Sequence, residues 1–145
     1  MLQLIYASAA TVRFSVADLK HLLAIARANN ESLGVSGMLV FQEGSFLQII
    51  EGEDDAVLSL FTKIEKDERH CNINMLLRSQ IEERSFGEWQ MGFYDVSRSV
   101  HKTDAGFVDF FREGHVFDDS DIDRARSVLM RFRDDGAWHE RVNIK

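Results

Sequence analysis

The sequence predicts an α+β protein built on a ferredoxin-like βαββαββ sheet, and three observations carry this prediction. Apolar residues repeat with period two in some segments and with period 3.6 in others. These segments follow the order β-α-β-β-α-β-β, whose first six members match the split βαβ arrangement. The 145 residues are 45% apolar and 28% charged, which suits one globular core. We therefore expect strands one and three at the centre of the sheet and two helices on one face.

The first strand and the first helix have clear sequence signals. Residues 2–8 alternate between two faces, as a strand does. Ser15 can cap a helix over residues 16–28, with Asp18 three residues later as a variant of the capping box. The helix's apolar stripe consists of Leu19, Leu22, Leu23 and Ala26. The pair Asn29-Asn30, followed by Gly34, is expected to end the helix.

A hairpin, a second helix and two further strands follow. Two apolar runs, residues 37–42 and 45–51, flank Glu43-Gly44 and predict a β-hairpin. The second run is apolar on both faces except at Gln48, and such a pattern is typical of a central strand. The remaining predicted elements are a helix over residues 54–66 and strands over residues 73–81 and 89–94. The inward residues of this second helix are expected to be Val57, Leu58, Phe61 and Ile64.

The pattern changes near residue 97, and we expect two units, residues 1–96 and a helical extension over residues 97–145. Thr103 and Ser120 can each cap an amphipathic helix in the extension. The second helix carries a stripe of Ile122, Ala125, Leu129 and Phe132. Because such short helices are marginal alone in water, we expect this one to pack on the sheet face that the first two helices leave bare.

Composition excludes several classes of function. Lys plus Arg total 17 and Asp plus Glu total 24, so the net charge of −7 disfavours general nucleic-acid binding. The single cysteine, Cys71, can form neither an internal disulfide nor a Cys-based zinc site, which suits a cytoplasmic protein. No apolar run is long enough to span a membrane, and the first residues lack the basic region of a signal peptide.

Gln48 and Tyr6 are the first candidates for a binding site. A lone amide in an apolar strand costs ~1–3 kcal/mol to bury without a partner. Gln48 either bonds a neighbouring group of the protein or faces a polar ligand. Tyr6 lies on strand one, next to strand three, so the phenol and the amide can meet on one face. A buried tyrosine is also common in ordinary cores.

The other candidates have structural explanations as well. Asn30 either belongs to a helix end or presents donors and acceptors at the rim of the helix-covered face. Residues 67–70 read as a solvated helix end, and His70 has no partner cluster for a metal site. Lys63 reads as a surface lysine, and the Trp89–Met91 pair as ordinary core. No nucleotide-binding, metal-protease or hydrolase motif occurs, so no catalytic residue is predicted.

Taken together, these stretches resemble the BLUF family, the blue-light sensors that use FAD. The similarity covers about residues 1–95 in the family's order and spacing. Its most specific part is Phe46-Leu47-Gln48-Ile49-Ile50-Glu51-Gly52 with Tyr6 and Asn30 upstream. The other matching stretches are residues 4–8, 26–30, 34–39, 67–70 and 84–92.

The resemblance implies roles for individual residues around a flavin. Tyr6 would be the light-driven electron and proton donor, and Gln48 would bridge Tyr6 and the flavin ring. Asn30 would hold the polar edge of the ring. Lys63 and Asp67 would make further polar contacts with the flavin, and Leu22 and Leu23 would make apolar contacts with its ring. The residues implied in signal transfer are Ser8, Trp89 and Met91.

The function implied is a blue-light photoreceptor that binds FAD non-covalently and forms a red-shifted state through rearranged Tyr–Gln–flavin hydrogen bonds. The extension resembles that of short, stand-alone, bacterial-type members, so we expect output by protein–protein contact with an unidentified downstream protein. We expect a homo-oligomer, no enzyme activity, no metal, and no membrane or nucleic-acid partner. The alternatives are a non-photoactive interaction module and a small hydrolase on the same fold.

Overall fold

The computed structural model describes residues 1–11, 13, 15–42, 44–87, 92–95, 123, 125–127 and 129–130. Its strands are β1 (Leu2–Ala10), β2 (Ser36–Gln42), β3 (Ser45–Gly52), β4 (His70–Gln80) and β5 (Gly92–Asp95). Its helices are α1 (Val16–Leu33) and α2 (Asp54–Glu65). Within these residues, no helix combines the length and apolarity needed to cross a lipid bilayer.

The strands form one sheet in the order β4-β1-β3-β2-β5. β1 is antiparallel to both β3 and β4, β2 is antiparallel to β3, and β5 runs parallel to β2 at the edge. The predicted ferredoxin-like fold, with strands one and three at the centre, is confirmed. The hairpin between β2 and β3 turns at Gly44, whose φ of 86° suits glycine.

α1 begins as predicted but ends later. Ser15 and Asp18 form the full capping box, with each side chain accepting from the other's backbone N–H. The helix does not stop at Asn29-Asn30, as the sequence suggested, but continues to Leu33. Asparagine disfavours a helix by only a fraction of a kcal/mol, so the true end comes at Gly34, whose φ of 68° forms the left-handed cap.

The structure also corrects the predicted bounds of β4. β4 begins at His70 because β1 extends to Ala10, which pairs with His70 across the strands. Residues 67–70 are therefore not a solvated helix end but the entry to an edge strand. β5 is described from Gly92 onward, and Trp89 and Met91 lie outside the described residues.

Two apolar cores lie on opposite faces of the sheet. The helix-side core joins even-numbered residues of β1 and β3 to α1 and α2; its members include Leu4, Tyr6, Leu23, Ile50 and Val57. The second, which we call the far-face core, includes Ile5, Met38, Leu47, Ile49 and Phe86. The helical residues Ala125 and Leu129 are fully buried in the far-face core. Thr103, Ser120, Ile122 and Phe132 lie outside the described residues.

Gly37 lies where β2 approaches β3 too closely for a side chain. A Cβ built there would lie 2.1 Å from the carbonyl oxygen of Ile49. We expect Gly37→Ala to lower the free energy of unfolding by ~2–3 kcal/mol, because the backbone of a central strand has to move. Urea unfolding measures this change. Gly87→Ala is the control, since the nearest atom to its Cβ would be the Cβ of Arg84 at 3.2 Å and not a backbone atom, and equal losses in both variants would contradict the prediction.

Candidate functional site

A pocket opens between α1 and α2, above the central strands of the sheet. It contains about 790 Å³ of empty space, part of which opens to solvent. All four strands from β1 to β4 contribute to its lining, together with both helices. The pocket therefore lies where the sequence placed the polar candidates.

Tyr6 and Gln48 meet at the base of this pocket. They are direct partners in the register between β1 and β3, and both point to the helix side. The Tyr6 hydroxyl donates to Oε1 of Gln48. Both side chains are buried, at 3% and 6% exposure. Burial, and then the charge of Asp67, raises the pKa of Tyr6, so the phenol keeps its proton.

The walls of the pocket come from one stripe on each helix. In α1 the stripe follows helical spacing and consists of Leu22, Ile25, Ala26, Asn29 and Asn30. In α2 and the turn after it, the lining residues are Leu60, Lys63, Ile64 and Asp67. In each stripe, polar residues lie about one helical turn from apolar ones. A flat ring can therefore lie between apolar side chains and direct one edge to polar groups.

The polar part of the pocket lining includes an amide and an ion pair. Asn30 is 1% exposed and lines the pocket. The guanidinium of Arg69 donates to both carboxylate oxygens of Asp67, with Nε–O distances of 2.9 and 3.1 Å. This hydrogen bonding lowers the pKa of Asp67 and raises the pKa of Arg69. Lys63 contributes a more exposed positive charge at the rim.

Ser8 and His70 lie beside this base. His70 lines the pocket, and its Nδ1 is 2.9 Å from the hydroxyl oxygen of Ser8. The His70 ring faces Tyr6 nearly edge-on, with ring centroids 6.3 Å apart. Ser8 is buried on the same strand face as Tyr6.

The structure brings most of the predicted flavin contacts to one pocket. These are Tyr6, Leu22, Asn30, Gln48, Lys63 and Asp67. Leu23 instead packs in the helix-side core and is not among the lining residues. Of the residues expected to transfer the signal, Ser8 contacts His70, whereas Trp89 and Met91 lie outside the described residues.

Several lining residues were not predicted. Arg69 and His70 were assigned to a solvated helix end, although both point back over the pocket. Ile25 and Ile64 were missed as lining residues because each belongs to a helix stripe whose direction depends on packing. The helical spacing from Leu60 to Ile64 could have identified the wall of α2.

The pocket fits the ring system of a flavin. A flavin ring is flat, apolar at one end, and lined with alternating donors and acceptors at the other. The side-chain amides of Asn30 and Gln48 each offer a donor and an acceptor. The apolar parts of both helix stripes suit the face of the ring, and the rim cations Lys63 and Arg69 suit an anionic group outside it.

Comparisons with known proteins agree with this geometry. The family profile described as "BLUF: Sensors of blue-light using FAD" matches residues 1–92. The chain is 38% identical over 87 residues to photoactivated adenylate cyclase subunit alpha of Euglena gracilis, covering 60% of this chain but 8% of that protein. The solved structure "BlsA ground state" matches with a TM-score of 0.74 at 28% identity, over 89% of this chain and 87% of that one. "BlrB - a BLUF protein, dark state structure" also matches with a TM-score of 0.74, at 25% identity over 90% and 96%.

Proposed function

The chain belongs to the BLUF family and is thus a blue-light sensor domain that uses FAD, and we propose that its Tyr6–Gln48 pair converts light into a changed hydrogen-bond pattern. The observation that carries this proposal is the buried hydrogen bond from Tyr6 to Gln48 at the base of the pocket. When bound, FAD supplies absorption of blue light and, in its excited state, a strong electron acceptor. The protein supplies the donor and the rearranging group.

The phenol and the amide have complementary properties for this role. A raised pKa keeps Tyr6 protonated in the dark, so its O–H remains a donor to Gln48. An amide can both donate and accept, so Gln48 can change its hydrogen-bond partner by rotation or by tautomerisation. Burial excludes water that would compete for the new arrangement. A red-shifted state follows if the rearranged amide donates more strongly to the ring.

We propose that the remaining lining residues bind the cofactor non-covalently. Asn30 holds the polar edge of the ring, and Leu22 packs against the face of the ring. Leu23 supports the ring indirectly, from the helix-side core behind the lining residues. Lys63 and the Asp67–Arg69 pair stand where they can contact polar or charged groups of FAD. The helix stripes and the ion pair support this assignment.

We propose that the output is contact between proteins, not catalysis by this chain. Ser8, Trp89 and Met91 would pass the change at Gln48 toward β5, and the segment after residue 97 would present it to a downstream protein or to a second copy of the chain. The burial of Ala125 and Leu129 in the far-face core supports a connection between the sheet and this segment. A cytoplasmic location and a homo-oligomer are part of the same proposal.

Gln48→Leu tests the proposed function. We expect the variant to bind FAD, to absorb at shorter wavelength in the dark because a donor to the ring is lost, and to form no red-shifted state under blue light. Absorption spectra before and after illumination measure both effects. Gln80→Leu is the matched control, since Gln80 is exposed at the sheet edge and bonds Asp54. An unchanged dark spectrum and a normal red shift in Gln48→Leu would remove Gln48 from the mechanism.

A further inference from the structure

Both ring nitrogens of His70 are engaged by other elements of the fold. Nε2 lies 2.5 Å from the carbonyl oxygen of Ile64, and Nδ1 lies 2.9 Å from the hydroxyl oxygen of Ser8. A carbonyl oxygen only accepts, so Nε2 carries the hydrogen. In the neutral ring, Nδ1 then accepts from the Ser8 hydroxyl. The two partners thus select one tautomer and one ring orientation.

These contacts join the elements that surround Tyr6. Ile64 belongs to the last turn of α2, Ser8 to β1, and His70 is the first residue of β4. Ser8 follows Tyr6 by two residues and points to the same face. The His70 ring therefore ties a wall of the pocket to the strand that carries the phenol.

The phenol ring lies close to two other rings. The centroid of Phe61 lies 5.6 Å from that of Tyr6, with an interplanar angle of 58°. The centroid of His70 lies 6.3 Å away, with an angle of 63°. The β1–β3 register runs unbroken through Tyr6, but pairing on the β4 side gives less support, because that register shifts between Ile5 and Tyr6 and again between Ala7 and Ala9. Side-chain contacts thus limit the tilt of the ring.

We propose that His70 is a positioning residue that fixes the angle at which Tyr6 donates to Gln48, through its hydrogen bonds to Ser8 and Ile64. The inference rests on the proposed function, because that angle matters when the hydrogen bond rearranges. A variant of Ser8 can distinguish this positioning role from direct contact between His70 and the cofactor, because Ser8 is not among the lining residues of the pocket. Removing its hydroxyl releases Nδ1 of His70 without altering any side chain that lines the pocket.

The test compares Ser8→Ala, His70→Phe and His70→Gln in the full chain. We expect the light state to return to the dark state at least threefold faster in His70→Phe and at least twofold faster in Ser8→Ala, with FAD still bound. His70→Gln keeps an N–H for Ile64 and should fall between wild type and His70→Phe. His21→Phe, at an exposed histidine of α1, is the matched control and should recover at the wild-type rate.

A second measurement needs no light. In protein labelled with 13C on the tyrosine rings, the Tyr6 signal is assigned by its loss in Tyr6→Phe. We expect this signal to shift or broaden in Ser8→Ala and His70→Phe, as the ring gains freedom, and to stay unchanged in His21→Phe. Histidine labelled with 15N should show hydrogen on Nε2 of His70 in the wild type.

The outcomes separate the inference from the proposed function. Wild-type recovery and an unchanged Tyr6 signal in Ser8→Ala overturn the inference, even if His70→Phe is altered, because the effect of His70 would then come from direct contact in the pocket. If the wild type shows no red shift, the proposed function fails. Even in that case, a changed Tyr6 signal in Ser8→Ala would support the positioning of the phenol by His70, because this measurement needs no light. If His70→Phe does not fold, Ser8→Ala and His70→Gln decide the result.

Discussion

Tyr6→Phe is expected to keep FAD and to lose the long-lived red-shifted state completely. Phenylalanine preserves the ring that packs against Phe61 and His70, so the pocket keeps its shape. The variant lacks the only group that donates from this ring to Gln48. Without the hydroxyl, no proton is available at the position where the amide rearranges. Illumination should therefore leave the absorption spectrum unchanged on the timescale of wild-type recovery.

Folding should change much less than photochemistry in Tyr6→Phe. The lost hydrogen bond and the Gln48 oxygen left without this donor together cost ~1–2 kcal/mol. Urea unfolding separates this loss from the spectral effect. Tyr94→Phe is the matched control, because Tyr94 is the chain's second tyrosine and its backbone lies on edge strand β5. A reversible red shift of normal size in Tyr6→Phe would contradict the role of the phenol.

Glu51→Ala is expected to lower the free energy of unfolding by ~3–5 kcal/mol. The Glu51 carboxylate is fully buried on the far face. It accepts from the side chain of Gln3 at 2.7 Å and from the backbone N–H groups of Ser85 and Phe86 at 3.0 and 2.7 Å. Alanine leaves three donors without this acceptor, each costing ~1–3 kcal/mol where it is buried. The segment before β5 would lose its anchor to the centre of the sheet.

Two variants make this prediction specific. Glu51→Gln keeps one acceptor oxygen but brings an NH₂ group against a donor, so its loss should be smaller than that of Glu51→Ala. Glu53→Ala removes an exposed carboxylate two residues away that makes no capping hydrogen bond, and should change stability by less than ~0.5 kcal/mol. Urea unfolding at neutral pH measures all three variants. Equal stability of Glu51→Ala and Glu53→Ala would mean that the carboxylate does not anchor the segment.

The sequence predicted those features that depend on local pattern. The capping box at Ser15, the hairpin at Gly44 and the central position of β3 all follow from residues within a few positions of one another. The meeting of Tyr6 and Gln48 also followed, because the topology makes β1 and β3 neighbours and both residues share a face. These features need no knowledge of how the side chains pack.

The features that were missed depend on contacts between distant residues. The extension of α1 past Asn30 depends on its pocket-facing stripe and on Gly34, not on the low helix propensity of asparagine. Arg69 and His70 line the pocket because β4 pairs with the extended end of β1. The Glu51 anchor joins residues 35 positions apart, and no local pattern identifies its partners.

The burial of Ala125 and Leu129 shows that side chains from beyond residue 97 cover part of the far face of the sheet. A light-sensing unit cut at residue 96 would leave an apolar surface around Met38, Leu47 and Ile49 without these two side chains, and such surfaces promote aggregation. A fused effector could take their place only by presenting an apolar helix or strand of its own. In protein engineering, a new output element joined to this domain would therefore have to replace Ala125 and Leu129 as the apolar cover of the far face, and the linker would have to reach that face.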